Sequence, residues 1–147
     1  MIVLDANLIL YAYVPDFPQH ERASAWLEKT LSNGEHVVLI AWQVATAFLR
    51  ISTNPRIFDD PLSMELAKSY LDHLFSHPFV RQVNPTDRHW EIYSKILIEQ
   101  NLTGDIVMDA HIAAIAVEHN AIVASTDKHF RRFSEYVKTI DPLEDGK

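Results

Sequence analysis

Four aspartates, Asp5, Asp105, Asp109 and Asp127, have the side-chain type and the spacing to act together. Asp5 and Asp127 each follow an apolar run, and Asp105 and Asp109 are four residues apart, on one face of a predicted helix. Carboxylate oxygens are the ligands that Mg²⁺ and Mn²⁺ prefer in proteins. A cation held by them would lower the pKa of a water molecule and stabilise charge on a phosphate. If the fold gathers these side chains, they predict a divalent cation site.

The elements that must position these aspartates follow from hydrophobic periodicity. Short, continuous runs rich in Val and Ile predict parallel strands buried on both faces, at 2–5, 36–41, 79–83, 121–126 and 136–140. Apolar residues at three- and four-residue spacing predict helices over 18–32, 42–53, 63–76, 87–101 and 105–119. The remaining polar, proline-containing stretch, 54–61, is expected to be a loop.

The alternation of strands with helices predicts an α/β fold with a mostly parallel sheet of about five strands between helical layers. Ligands of such sheets bind beyond the carboxyl ends of the strands. Asp5 and Asp127 both close a predicted strand, so we expect them at this edge.

Composition limits the class of protein. The 147 residues are expected to form one domain, 1–147, and the apolar fraction of 48% is that of a globular chain. Without cysteine there are no disulfides or thiolate ligands, and we expect a cytoplasmic protein without a signal peptide or membrane partner. The net charge of −7 argues against nucleic-acid binding driven by overall charge, and it suits a basic protein partner.

Each aspartate also has a purely structural explanation. Asp5 and Asp127 could cap the helical turns that follow them, and Asp105 suits the positive end of a helix dipole. Asp109 tops an apolar stripe that should face the sheet, where a charge needs a partner or a cation. The four considered together favour a functional site.

Four ordered segments resemble one family, the PIN domain, and more narrowly the toxin component of VapBC toxin–antitoxin modules. The resemblance covers nearly the whole chain, from Met1 to about Phe133. The segments that carry it are Leu4-Asp5-Ala6-Asn7, the run from Phe48 to Phe58 with its Asn-Pro-Arg loop, Asp109 to Ala116, and Ser125 to Phe130.

The resemblance implies a PIN-like three-layer fold and an Mg²⁺-dependent endoribonuclease, with Mn²⁺ as an alternative ion. It assigns the catalytic and metal-binding positions to Asp5, Asp109 and Asp127, with Asp105 as an additional metal-site acid. Asn7 and Thr126 would hold these ligands in place. It further implies a homodimer and a cognate VapB-type antitoxin that inserts a basic side chain into the acidic site.

One departure from the family pattern concerns the helix over 42–53, where relatives usually carry a further acid. This chain has no Asp or Glu between Glu35 and Asp59, and Ala45 or Ala47 fills the position. Gln43 and Thr46 are the nearby polar side chains. Either Asp105 compensates, or the site holds one metal ion instead of two, or it works poorly. Another acid often seen two residues after Asp127 is replaced by His129.

Local basic residues provide candidate RNA contacts despite the negative net charge. Arg50, Arg56 and Lys128 are the predicted contacts to phosphate, which position a strand without reading its sequence. Aromatic residues near these segments, such as Trp42 and Phe58, are expected to belong to the core, as is Trp90 of the helix over 87–101.

The leading hypothesis is hydrolysis of structured RNA, with tRNA implied by the family. Water attacks the phosphodiester and the 3′-oxygen leaves, giving 5′-phosphate and 3′-hydroxyl ends. The main alternative is a degenerate PIN domain that binds RNA or a protein without cleavage. Phosphoryl transfer through Asp5 is a weaker fit, since the second aspartate and the lysine it needs are not in place. The scattered histidines do not favour zinc, because only His73 and His77 have ligand spacing on a helix.

Overall fold

The computed structural model of the protein describes residues 1–144. Five short strands form its sheet: β1 (Ile2–Leu4), β2 (Val38–Ala41), β3 (Val80–Val83), β4 (Ile122–Ala124) and β5 (Thr139–Ile140). Six α-helices connect them: α1 (Ala6–Tyr13), α2 (His20–Asn33), α3 (Trp42–Ser52), α4 (Met64–Phe75), α5 (His89–Glu99) and α6 (Ile106–Glu118). A 3₁₀ helix, Lys128–Phe133, lies between β4 and β5.

The sheet has the order β3-β2-β1-β4-β5 and every pair of neighbours is parallel. The chain therefore builds outward from β1 through β2 to β3, then crosses to the other side of β1 to place β4. In register, Leu4 of β1 pairs with Ala124 of β4, and the Asp5 amide donates to the Ala124 carbonyl at 3.0 Å. The sheet reverses its strand order between β1 and β4, which is where open parallel sheets bind ligands.

The core lies on both faces of the central strands. The central strands are fully covered, with 0% exposure at Val3, Leu4, Val38 and Val123. The apolar side of α6 from Ile112 to Ala116 is buried against them. Burial of this apolar surface is the main stabilising contribution to the fold. It also fixes the height of α6 relative to the sheet, and therefore the position of Asp109 in its first turn.

Most predicted elements are confirmed, with ends shifted by a few residues. Helix α2 ends at Asn33, one residue beyond the predicted range, and Gly34 follows it in a left-handed conformation with φ of 67° that suits the end of a helix. Across the described residues, no helix has the length and apolar composition needed to cross a membrane.

Some predictions of burial are wrong, among them those for β3 and for Trp90 of α5. Strand β3 is not buried on both faces, because it lies at the sheet edge and exposes Arg81 and Gln82. Trp90 is 70% exposed, since it lies on the face of α5 opposite Ile92 and Ile96, which are the buried residues of that helix. The spacing of apolar residues indicates which face of a helix is apolar. How much of that face becomes buried depends on how the helix packs.

Candidate metal centre

Asp5 is the most buried of the four aspartates, at 7% exposed. Its carboxylate accepts two hydrogen bonds, from the Ala6 amide at 2.8 Å and from the Ser125 hydroxyl at 2.7 Å. The first bond caps α1, so the structural role considered for Asp5 is real, and it coexists with a place in the site. Each carboxylate oxygen keeps a free lone pair for a further ligand.

Asp127 and Asp109 face Asp5 from the neighbouring strand end and from α6. Asp127 caps the 3₁₀ helix by accepting from the His129 amide at 2.9 Å, and its own amide donates to the Ser125 hydroxyl at 2.9 Å. Asp109 lies in the first turn of α6 and is half-buried. Asp105 is exposed at the start of the same helix and makes no capping bond. The fold therefore brings all four aspartates to one groove.

The electrostatics of this groove favour a cation. Burial and, to a smaller extent, the neighbouring carboxylates of Asp5 and Asp127 together raise the pKa of Asp109 to about 6, while His129 opposes them. Burial also raises the pKa of Asp5, against the lowering effect of the Ser125 hydrogen bond. Carboxylates that retain protons because of burial and mutual repulsion are stabilised in their charged form by a positive ion.

The donor atoms are close enough to share one ion. Asp109, Asp127 and His129 each offer a ligand atom, and these atoms lie within 4.8 Å of one another. Asp5 is adjacent, because it lines the same groove and its charge raises the pKa of Asp109. Three carboxylates and an imidazole are a donor set that suits a divalent cation. The residues present fit a resident metal.

The groove opens on two sides. On the His129 side, the aspartates are joined by Asn7, His129 and Arg132, around a volume of about 730 Å³. On the Gln43 side, Asp5, Asp105 and Asp109 are joined by four α3 residues, Gln43, Val44, Ala47 and Arg50. The aspartates thus lie between two openings, each with one arginine at its edge.

The structure decides which alanine faces the site. Ala47 lines the Gln43 side, whereas Ala45 is buried at 3% exposed and is absent from that lining. Thr46 is exposed, so of the two polar candidates only Gln43 reaches the groove. The Gln43 amide donates to the Met108 carbonyl at 3.1 Å and joins α3 to α6 beside Asp109. No carboxylate from α3 enters the site, since the described helix contains none.

The predicted RNA contacts separate into two groups. Arg50 borders the groove on the Gln43 side. Lys128 lines a different depression next to Asp141 and Glu144, and Arg56 is exposed in the loop after α3. Arg132, one of the basic residues that follow Asp127, borders the His129 side and donates to the Gln100 carbonyl at 3.0 Å. The turn of the 3₁₀ helix decides that Arg132 faces the acids and Lys128 does not.

Sequence reasoning also missed Ser125. It assigned the supporting role to Thr126, but the side chain that contacts Asp5 and the Asp127 amide is that of Ser125. Within the described residues, Thr126 makes no side-chain hydrogen bond to the aspartates, and Asn7 lines the groove without one. No local pattern held the missing signal, because the contact of Ser125 with Asp5 depends on β1 and β4 lying side by side in the sheet.

The expectation that the aromatic residues belong to the core holds for Phe58, which is 8% exposed, and fails for Trp42. Trp42 is 49% exposed at the start of α3, where its ring packs against Phe75 in an edge-to-face arrangement. It precedes Gln43 and therefore lies near that opening of the groove.

Comparison with known sequences places the chain in a family. The PIN domain profile matches residues 2–136. Ribonuclease VapC33 from Mycobacterium tuberculosis is 34% identical over 145 residues, covering 99% of this chain and 100% of that protein. Ribonuclease VapC37 from the same species is 37% identical over 133 residues, covering 90% of this chain and 92% of the relative.

Solved structures share the fold at lower identity. A chain from the VapBC2 complex of Rickettsia felis, bound to promoter DNA, superposes with a TM-score of 0.68 at 20% identity, covering 96% of this chain and 100% of that one. A chain from FitAcB of Neisseria gonorrhoeae gives 0.69 at 21% identity, covering 98% of this chain and 99% of that one. Profile, relatives and fold agree: the chain belongs to the PIN domain family and is of the VapC type.

Proposed function

We propose that this chain is a metal-dependent endoribonuclease, the toxin of a type II toxin–antitoxin module, which hydrolyses phosphodiester bonds in structured RNA, with tRNA as the substrate. The observation that carries the proposal is the convergence of Asp5, Asp109 and Asp127 beyond the carboxyl ends of β1 and β4. Relatives named ribonuclease VapC support the reaction class. A cytoplasmic location, where such RNA is found, belongs to the same proposal.

The proposed cofactor is Mg²⁺ or Mn²⁺, which when bound lowers the pKa of a water molecule and neutralises charge on the scissile phosphate. Asp5, Asp109 and Asp127 would hold the ion, with Asp105 at the rim. The hydrogen bonds from Ala6 and Ser125 fix the Asp5 carboxylate, and the Gln43 bond to the Met108 carbonyl holds the first turn of α6. These side chains are therefore positioned before the substrate arrives, which reduces the entropy cost of reaching the reactive geometry.

The two openings suggest a path for the RNA strand. Arg50 borders one opening and Arg132 the other, with the aspartates between them. A backbone that crosses the groove would meet a guanidinium on each side of the scissile phosphate, and such contacts position the strand without reading its bases. Lys128 and Arg56, which lie away from the groove, would contact flanking phosphates. Trp42, exposed beside Gln43, offers a surface on which an unpaired base can stack.

The proposed partners are a VapB-type antitoxin and a second copy of the chain. The neighbouring structures are VapBC and FitAB complexes, which supports an antitoxin partner. An acidic groove is complementary to a basic side chain, and the net charge of −7 favours association with a basic protein. The antitoxin would then inhibit cleavage by placing a basic side chain in the groove that otherwise holds the ion.

A second candidate function is RNA or protein binding without cleavage. One observation favours it: Ala47 faces the groove where a carboxylate from α3 would otherwise lie. The loss of one ligand lowers the charge available to a second ion, and an enzyme that depends on two ions would lose rate.

The test is cleavage of pooled tRNA by purified, partner-free protein with Mg²⁺, with Mn²⁺ and with EDTA. We expect discrete fragments with either metal and none with EDTA. Asp109→Asn should reduce cleavage roughly a hundredfold or more, since it removes a ligand that the reaction requires. Asp72→Asn is the matched control, because Asp72 is exposed on α4 in a surface ion pair with Lys68.

Each result selects one candidate. Fragments that persist at full rate in Asp109→Asn or in EDTA would contradict the metal-dependent reaction. Intact RNA at every metal concentration, together with retention of that RNA by the protein in a filter-binding assay, would establish the binding domain instead.

A further inference from the structure

We propose that the His129 imidazole is a ligand of the cation together with Asp109 and Asp127, and that this nitrogen donor makes the site bind Mn²⁺ in preference to Mg²⁺. The inference rests on the proposed function, since it concerns the ion of the same groove. It goes further because it identifies His129 as a ligand and as the cause of an ion preference. His129 occupies a position where relatives often have a carboxylate.

The first support is geometric. A ligand atom from each of the three residues lies within 4.8 Å of the other two. Two ligands of one ion, each bonded at about 2.1 Å, are at most about 4.2 Å apart, so only a small movement is needed. The His129 side chain is 75% exposed and can make that movement without disturbing the core.

The second support is the way the backbone holds His129. Its amide donates to the Asp127 carboxylate at 2.9 Å, and its ring nitrogen Nδ1 lies 3.2 Å from the same oxygen, Oδ1. The residue is therefore tied to a metal-site carboxylate from two directions, although it is on the surface. A surface ion pair alone would contribute little stability, so stability gives no strong reason for this arrangement.

The third support is donor chemistry. Mg²⁺ takes oxygen ligands almost exclusively and keeps several waters, whereas transition-metal ions also accept imidazole nitrogen. Mn²⁺ binds carboxylate sets as Mg²⁺ does, and as a transition-metal ion it also accepts an imidazole nitrogen. A set of carboxylates plus one imidazole therefore discriminates in favour of Mn²⁺, while an additional carboxylate in place of His129 would not.

The test measures metal binding directly, without RNA. Mn²⁺ and Mg²⁺ affinities are determined by calorimetry, and pulsed electron spin resonance of bound Mn²⁺ detects coupling to a ligand ¹⁴N nucleus. We expect nitrogen coupling in the wild-type protein and its loss in His129→Ala and His129→Asp. In His129→Asp, which restores an oxygen donor, the ratio of Mg²⁺ to Mn²⁺ dissociation constants should fall roughly tenfold.

His73→Ala is the matched control, because His73 is exposed on α4, away from the groove, and should leave coupling and affinities unchanged. Wild-type binding of Mn²⁺ without nitrogen coupling, or with coupling that survives His129→Ala, would overturn the His129 assignment. Loss of Mn²⁺ binding in Asp109→Asn would then still support the proposed function. If the wild-type protein binds neither ion, both proposals fail.

Discussion

The Ser125 hydroxyl donates a hydrogen bond of 2.7 Å to the Asp5 carboxylate, although the two residues are 120 positions apart in the chain. The same oxygen accepts from the Asp127 amide at 2.9 Å, so one small side chain connects two of the metal-site aspartates. This bond exists because β1 and β4 are neighbours in the sheet.

Replacing Ser125 by Ala should weaken metal binding and cleavage together. The variant keeps the Ala6 bond but leaves the second oxygen of the buried Asp5 carboxylate without its hydrogen-bond donor, so we expect metal affinity to fall about 10- to 100-fold. The free energy of unfolding should fall by about 1–3 kcal/mol. Calorimetric metal titration and chemical denaturation measure the two effects. Thr126→Ala is the control, and a loss of affinity in it as large as that in Ser125→Ala would refute the role given to Ser125.

Asp109→Asn should stabilise the metal-free protein near neutral pH. The pKa of Asp109 is raised from 3.8 to about 6, so the folded state binds this proton more tightly than the unfolded chain does. The stability that the group contributes therefore falls as pH rises from about 4 to about 6 and stays low above that. Asparagine carries no charge, so the variant should melt higher than the wild type in EDTA at about pH 7.5, and the difference should shrink near pH 4.

The same melting experiment with Mn²⁺ provides the reciprocal check. A ligand that binds only the folded state raises its melting temperature, so Mn²⁺ should stabilise the wild type and have little effect on Asp109→Asn. Equal stabilisation of both proteins would mean that Asp109 does not hold the ion.

Ala47→Glu should restore a carboxylate on the Gln43 side of the groove. We expect metal affinity to rise roughly tenfold and cleavage to increase, because the added oxygen donor faces Asp109. The melting temperature in EDTA should fall, since another negative charge enters an acidic groove. Thr46→Glu makes the same charge change at the adjacent, exposed position of α3, so a similar gain there would show that the direction of the side chain is irrelevant.

Glu118→Ala should destabilise the fold without changing the chemistry of the folded protein. The Glu118 side chain is 0% exposed and accepts hydrogen bonds from the Thr86 amide and hydroxyl at 2.7 and 2.8 Å and from His89 at 2.5 Å. Burial alone raises the pKa of Glu118, but these bonds outweigh it and hold the pKa below 4.5. Their stabilisation is present above that value and is lost as pH falls.

The free energy of unfolding of Glu118→Ala should fall by about 3 kcal/mol or more at neutral pH, as for other buried pairs that lose one partner. Glu91→Ala, which removes an exposed partner of Arg88, should cost under about 1 kcal/mol. Cleavage per folded molecule should be unchanged, since Glu118 lies about 13 Å further along α6 than Asp109. A loss of cleavage per folded molecule would instead link Glu118 and its partners Thr86 and His89 to the site.

Local patterns were sufficient for the elements and for the four aspartates. Buried strands require continuous apolar residues and helices require three- and four-residue spacing, so these elements are visible in the sequence. Asp5 and Asp127 each follow such a strand, and Asp105 and Asp109 begin such a helix. The resemblance then supplied the family, and the profile match over residues 2–136 confirms it.

The tertiary structure decided which side chains meet. Pairing of β1 with β4 depends on contacts between distant residues, so no local pattern could select Ser125 over Thr126 as the partner of Asp5. The packing of α3 decides that Ala47 faces the groove and Ala45 the core. The sequence by itself determined the elements and the acids at their ends. Long-range packing, whose free energy is shared among many residues, decided the arrangement of the groove.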